Sequence, residues 1–300
     1  MNVELKGIGN SSKSAISMRH MTKKRLLGKI AGKTVMWCIL LFFLFYTLFP
    51  MIWLVISSFK TNVELFDNPF SLPKVWQFQN YKNAFQVSGL AVLFRNSIVI
   101  SLCATAFNLF VASMAGFVLA RQRFKLREAI FVLLISGILI PVNALMVPYY
   151  KIITQIKLYD SIFALILTYG AMGLPISVFL VRGFMKTIPW ELEESATIDG
   201  CNFYQRFFKI ILPLSKTGLI TAGTFQFLLS WNEFIYAMLL TSSTSSRTIQ
   251  LGIRYFSNQF TTDYTSMYAA IVISIIPSLT GYVLFQEQII SGLTSGAVKG

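Results

Sequence analysis

Long charge-free apolar runs dominate the chain, and they do not alternate with polar positions. They cover Thr34–Phe59, Asn96–Ala120, Ala129–Tyr150, Ser161–Val181 and Tyr264–Gln286. A sixth runs from Thr217 to Asn232, is broken by Glu233 and resumes over Phe234–Leu240. A helix needs about 20 apolar residues to cross a hydrocarbon core of about 30 Å. No water reaches that depth to satisfy backbone N–H and C=O groups, so a spanning segment must be helical or part of a closed barrel. A barrel would show segments of about ten alternating residues. The pattern therefore predicts an all-α membrane protein with six transmembrane helices.

Composition agrees with that reading. Of the 300 residues, 55% are hydrophobic and 13% charged, with a mean hydropathy of +0.63; soluble domains carry about 25% charge. The first run follows a basic arm, is too long for a signal-peptide core and lacks a small-x-small cleavage site, so it is expected to be retained. With both termini inside, 18 of the 26 Lys and Arg fall in the arm, in 121–128, in 182–216 and in the tail. Cytoplasmic segments carry such an excess, which favours an N-in/C-in topology. The net charge of +14 is thus spread over membrane-flanking loops, where anionic lipid headgroups account for it and no nucleic acid is implied. The expected divisions are a basic cytoplasmic arm over 1–33, a first helix over 34–59 and an external loop over 60–91. A core of five helices over 92–290, containing the loop 186–213, and a cytoplasmic tail over 291–300 follow. The external loop holds Pro69, Pro73, Trp76 and Tyr81 and reads as ordered, not as a separate domain. The polar run Thr241–Ser246 signals a turn, and Gln250–Phe260 a short interfacial helix.

Catalytic and metal chemistry find little material. Cys38, Cys103 and Cys201 are scattered, and the one histidine, His20, lies in the arm; no metal site or catalytic residue is expected. The cysteines read as small buried apolar residues. Two runs approach a phosphate loop. Gly7–Ser14 has Ser12 where the second glycine belongs, and Gly28–Thr34 has glycines too close together. Neither follows a strand, so the converging N–H groups that hold phosphate are lacking. Arg95, Glu233 and Glu287 lie near predicted helix ends, whereas proton-coupled carriers more often keep an acidic or His relay at mid-bilayer.

The connection between the fourth and fifth runs is the most informative stretch. Pro189 suits a first helical position, and Glu191, Glu193 and Glu194 complement the positive end of a helix dipole. Gly200 can stop that helix in a left-handed conformation. Asn202 can cap a second short helix whose Phe203, Phe207, Ile210 and Ile211 recur at helical spacing. Pro213 ends the segment. Small Ser195 and Ala196 beside aromatic residues suit the cleft of a partner protein; a plain amphipathic helix on the bilayer surface fits the same pattern equally well.

Glu194, Ala196, Gly200, Ile210, Leu212 and Pro213 resemble the EAA loop of binding-protein-dependent ABC importer permeases: E-A-A, three residues, G, nine residues, then I-x-L-P. Ser195 replaces the middle alanine. Phe49–Trp53 with Ser58–Lys60, the Asn80–Phe85 stretch, Ser230–Phe234 and the tail Gly292–Gly300 are similar to the sugar branch, second-permease type. The resemblance implies the type I importer permease fold, in a multi-pass subunit of a bacterial cell membrane. It further implies a coupling segment containing Glu193, Glu194, Ser195, Ala196, Asp199, Gly200, Ile210, Leu212 and Pro213, gripped by a cytoplasmic ATPase dimer. ATP and Mg would be bound there; this chain would bind no cofactor and hydrolyse nothing. Other implied partners are a homologous second permease, a solute-binding protein, membrane lipid and a carbohydrate cargo. Oligosaccharide ranks first as cargo, then monosaccharide or glycerol phosphate, then another polar solute. Asn143, Tyr169, Asn232, Glu233 and Tyr236 are candidates for the translocation path, because amides, carboxylates and aromatic faces suit sugars. Helix-to-helix hydrogen bonding and interfacial anchoring explain the same residues. A secondary carrier and a membrane-embedded enzyme or scaffold are the rival classes; uptake by the chain alone, or none with any partner set, would mark them.

Overall fold

The computed structural model of the chain describes residues 32–87, 89–256 and 262–297; the arm with most of its glycine–lysine runs, and the last three residues, lie outside them. Contacts divide the chain into two units, one ending at Ser57 and one beginning at Ser58. The described part of the first is a single helix, α1 (Gly32–Ser57), with surface side chains such as Phe42, Phe45 and Tyr46 well exposed. Apolar residues on every face are the mark of a helix surrounded by lipid or by other helices.

The second unit opens with α2 (Asn62–Asp67) and α3 (Gln79–Val87). Thr61 and Glu64 form a capping box that fixes the start of α2. Lys60 is fully buried and its Nζ donates to the carbonyls of Asn68 and Pro69, each at 2.9 Å. Asn80 Nδ2 donates to the carbonyls of Ser58 and Lys60 at 2.8 Å, and Phe59 packs on Trp76, Phe78 and Tyr81. The stretch from Ser58 to Tyr81 is therefore held by its own contacts. It is also joined to the last helix, since Asn62 Nδ2 donates to Asp263 Oδ1 at 3.3 Å and Phe66 meets Tyr264.

The long α4 (Leu90–Arg121) is the axis of this unit and packs against helices on three sides. After it come α5 (Arg127–Ser136), α6 (Met146–Gln155), α7 (Ile162–Met172) and α8 (Leu174–Thr187). Next stand α9 (Trp190–Ile198), α10 (Phe203–Gln205), α11 (Leu212–Leu214), α12 (Lys216–Asn232) and α13 (Ile235–Leu240). The short α14 (Ile249–Gly252) and the long α15 (Tyr264–Ala297) complete the order, with no strand element among the described residues. Ala112, Gly116 and Ala120, four residues apart, are buried on the α4 face that meets α8 and α12. Cys38 and Cys103 are exposed on helix surfaces and not buried as expected.

Among the described residues, only α1, α4 and α15 are each long and apolar enough to cross a membrane by themselves. The run predicted as one helix over Ala129–Tyr150 is two helical segments bent by 98°. Pro141, which lacks an N–H and disfavours helical geometry in the residue before it, sits at that break, and Ile140 is extended. The Ser161–Val181 run bends by 50° between α7 and α8, where Pro175 occupies the first turn of α8. The sixth run breaks at Glu233, as its charge suggested. Each carboxylate oxygen accepts a backbone N–H at the start of α13, from Tyr236 at 2.9 Å and from Ala237 at 3.1 Å, a favourable partner for the positive end of a helix. The expected interfacial helix is α14 with a following 3₁₀ turn over Ile253–Phe256; residues 257–261 lie outside the described set.

Two side-chain amides complete the α7–α8 break. Gln226 Nε2 donates to Tyr169 O at 2.9 Å, and Asn108 Nδ2 donates to Gly170 O at 2.8 Å. Backbone carbonyls freed at a kink would otherwise stand unsatisfied in an apolar surround, which costs several kcal/mol. Gln226 reaches them because Gly173 has no side chain: a Cβ there would lie 1.6 Å from its Oε1.

A carboxylate organises the loop after α13. Asp160, in the α6–α7 turn, accepts through Oδ1 from the backbone N–H groups of Ser242 at 2.8 Å and Ser243 at 3.0 Å, and from the Ser243 and Ser246 hydroxyls. Partial burial alone would raise its pKa, but these donors outweigh burial and hold the carboxyl well below the ordinary range.

Two measurements follow on detergent-solubilised protein. Gly173→Ala forces overpacking, which costs about 1–3 kcal/mol, and should lower the melting temperature; an unchanged melt means Gln226 moves aside freely. Asp160 is depressed in the folded chain, so its contribution is full at neutral pH, starts to fall below the ordinary carboxylate value of about 4 and is lost as pH drops further towards the lowered folded value. Asp160→Asn should therefore destabilise by about 1 kcal/mol at pH 7, with a smaller difference from wild type at acid pH.

Candidate functional site

The α8–α12 connection folds as a tight hairpin whose two sides differ. Pro189 is the N-cap of α9 and Trp190 its first residue, one position later than the sequence suggested. Gly200 has φ +81°, the left-handed region that a non-glycine residue enters at a cost of about 1–2 kcal/mol. Asn202 and Gln205 form a reciprocal capping box. The turns after it are π-helical over Arg206–Ile211. Pro213 follows directly, and its ring would clash with the carbonyl four residues earlier in a regular helix, so the widened turn accommodates it.

One side of the hairpin is fixed to the helix core. Phe207 and Ile211 are buried with Phe117, Ala120, Val181, Met185 and Ala222, and the Phe117 ring lies 5.1 Å from both Phe203 and Phe207. Fully burying each such side chain is worth about 1.5–3 kcal/mol. The strongest tie is electrostatic. Arg121, the last residue of α4, and Glu193, on α9, have side chains 0% and 3% exposed and meet at 2.8 Å through Nε and Oε2. The same guanidinium donates to Ile188 O at 2.9 Å, Pro189 O at 3.2 Å and Met185 O at 3.3 Å, and lies 4.2 Å above the Trp190 ring. Arg206 adds a second contact to Glu193 at 3.3 Å. One side chain thus ties the end of α4 to the end of α8, to the linker and to α9. Pattern alone assigns Arg121 no role beyond its charge; its position as the last residue of a long apolar helix was the one available signal.

A similar clamp stands nearby. Arg182 Nη2 reaches both Glu128 oxygens at 2.6 and 2.7 Å, its Nε donates to Leu119 O at 3.0 Å, and its guanidinium lies 3.6 Å above the Phe131 ring. It joins α8 to α4 and α5.

The other side of the hairpin is open. Glu194, Ser195, Asp199 and Gly200 are exposed, as are Leu192, Ile198, Tyr204 and Phe208; Ile198 is 86% exposed. Among the nine residues expected to act together, Glu193 and Ala196 turn inward while Glu194, Ser195, Asp199 and Gly200 face outward. Ile210 and Leu212 are half-buried and Pro213 is exposed.

The five path candidates separate. Tyr169 and Tyr236 are fully buried in one cluster with Tyr149 and Phe234 at its edge, and Tyr236 donates its hydroxyl to Val142 O at 2.8 Å. Glu233 joins them through the Tyr236 backbone. Asn143 is exposed on the Val142–Leu145 turn. Asn232 is exposed and opens onto a cavity of about 570 Å³.

The hairpin thus presents an exposed acidic and apolar edge, ending in a left-handed glycine, on a base held by buried contacts. Residues 110–293 match the family model described as binding-protein-dependent transport system inner membrane component. The chain belongs to that family. It is 38% identical over 252 residues to a putative ABC transporter permease protein, ORF2, of Caldicellulosiruptor sp. strain Rt8B.4, covering 84% of this chain and 91% of that protein. Over 263 residues it is 34% identical to the arabinooligosaccharides transport system permease protein AraQ of Halalkalibacterium halodurans, covering 86% and 94%. A solved bacterial ABC transporter that imports the acidic polysaccharide alginate shares the fold, with a TM-score of 0.75, 21% identity and coverage of 88% and 96%. The family places this chain in the inner membrane as a component of a binding-protein-dependent transport system.

Removing one partner of a buried ion pair strands the other charge and costs about 3–5 kcal/mol. Glu193→Ala and Arg121→Ala should each loosen the hairpin, read as new protease cleavage between α8 and α12. Arg121→Lys should rescue poorly, because an ammonium cannot supply the planar fork. Wild-type cleavage patterns in all three would show that the pair does not hold the hairpin.

Proposed function

We propose that the chain is a permease subunit of an ATP-driven carbohydrate importer, with oligosaccharide as its cargo. The observation that carries this reading is the hairpin. The Glu194–Gly200–Pro213 pattern lies on a segment with a clamped base and an exposed edge, in a chain whose relatives include named oligosaccharide permeases. A long helix ending in Arg121 and a hairpin joined to it by Glu193 form one stiff lever. Motion imposed on the exposed edge is then passed to α4 and α8, since packed interiors do not deform smoothly.

In this mechanism a cytoplasmic ATPase dimer, which binds ATP and Mg, grips Glu194, Ser195, Asp199 and Gly200. Glu193 and Ala196 position that edge, and Ile210, Leu212 and Pro213 carry the motion into α12. Closure of the motor rocks the helices and opens the path alternately to each side. The chain crosses the membrane six times with both termini inside: α1, α4, the bent α5–α6 pair, the bent α7–α8 pair, α12 with α13, and α15. A homologous second permease completes the path, and a solute-binding protein delivers cargo. A solved relative by fold is titled as a complex with an alginate pentasaccharide-bound periplasmic protein, which supports that last partner.

Glu194→Lys, or a bulky residue at Gly200, should reduce uptake by the assembled transporter at least tenfold while the chain still inserts in the membrane. Uptake at the wild-type rate in both variants would remove the hairpin from the coupling step.

A further inference from the structure

The α12–α13 break leaves a cavity of about 570 Å³ between the end of α12, α14 and α15, a volume within the range of small-molecule sites. Its polar lining is Asn232, Gln250, Arg254, Ser274 and Ser278, with Phe234 supplying an aromatic wall. Each of these groups has hydrogen-bonding capacity to spare or lacks an opposite charge. Asn232 uses its Nδ2 on Leu228 O at 2.9 Å, and its Oδ1 makes no hydrogen bond among the described residues. Ser278 Oγ is buried without a hydrogen-bond partner among the described residues. The Arg254 guanidinium touches the thioether of Met238 through Nη1 at 3.3 Å and makes no ion pair among the described residues. No Asp or Glu lines the cavity.

An aromatic face with amides and hydroxyls suits a polyhydroxylated ring. A guanidinium without a counter-charge asks for more. Its planar fork matches a carboxylate or sulfate with two parallel hydrogen bonds, and it stands exposed at the cavity wall with no Asp or Glu beside it in the lining. We propose that this cavity selects saccharides bearing a carboxylate or sulfate, with Arg254 as the residue that sets the preference over neutral sugars. The proposal rests on the carbohydrate-importer reading and narrows its cargo to acidic saccharides. It also moves the ligand contacts of this subunit away from Tyr169 and Tyr236, which are sealed in the core.

The test uses membranes carrying the whole transporter, with Cys38, Cys103 and Cys201 replaced by Ser and Asn232→Cys introduced. Anionic and cationic methanethiosulfonate reagents report the local field as a ratio of modification rates. The anionic reagent should react faster, and Arg254→Gln should lower the anionic-to-cationic ratio by roughly tenfold, the size expected for one charge at short range in a partly hydrated site. Arg254→Lys keeps the charge and should keep most of the ratio, which separates a field effect from misfolding. Digalacturonate should slow the modification, and cellobiose at the same concentration should not. A ratio indifferent to Arg254, or equal protection by the neutral disaccharide, overturns the acidic preference and leaves the carbohydrate reading standing. If neither saccharide protects and the intact transporter takes up no neutral or acidic sugar, the importer reading falls as well.

Discussion

The ion pair between Arg121 and Glu193 is the constraint on which the rest of the arrangement depends. A guanidinium wholly removed from solvent is tolerable only when its donors are met, and here a carboxylate and three backbone carbonyls meet them. Those partners come from α8, from the linker and from α9, so satisfying one cation fixes four pieces of chain at once. Shape is gained as much as energy. A well-packed apolar group could replace a buried pair with little loss of stability, but it would not dictate which edge of the hairpin faces outward. Arg182, spread over α4, α5 and the Phe131 ring, repeats the device one turn away.

A second constraint is the backbone itself. Hydrocarbon offers no hydrogen bonds, so each proline-induced break in a spanning helix must find donors for the carbonyls it releases. At the α7–α8 bend, Asn108 and Gln226 supply them from two neighbouring helices. Their remaining oxygens, Oδ1 and Oε1, stay without partners among the described residues. Those unused acceptors are a cost that the bend carries in place of unsatisfied backbone. The bend and the hairpin share α8, so both constraints meet in one element.

The loops that hold Asp160 and Lys60 show the opposite chemistry. There, serine and backbone donors converge on Asp160, and Lys60 is capped by carbonyls; loops are held by polar contacts in place of apolar packing. That leaves the neighbouring cavity lined by side chains whose capacity is not consumed by the fold, with Arg254 the most conspicuous. A buried charged clamp at one site and, at another, an exposed guanidinium unpaired among the described residues suit a chain that is driven by one partner and selects among ligands.

Sequence by itself determined the material of this protein. Six apolar runs, with basic residues between them, made an all-helical membrane chain unavoidable, because hydrocarbon leaves the backbone no other solution. The stop at Gly200, the cap at Asn202 and the break at Glu233 were equally legible, since each is enforced by local backbone chemistry. Tertiary structure alone decided what depends on residues far apart in the chain. Pro141 lies inside the run expected as one helix over Ala129–Tyr150, and the packed structure bends there by 98°. Glu193 and Glu194 are adjacent and chemically identical, and no local rule separates the one that ties the hairpin to Arg121 from the one that faces outward. Arg121 lies 72 residues from Glu193, a distance across which pattern carries no information about contact. Tyr169, Tyr236 and Asn232 read alike as sugar-contacting types, yet two are sealed in the core and one lines a cavity, because burial belongs to the packed helices and not to the residue.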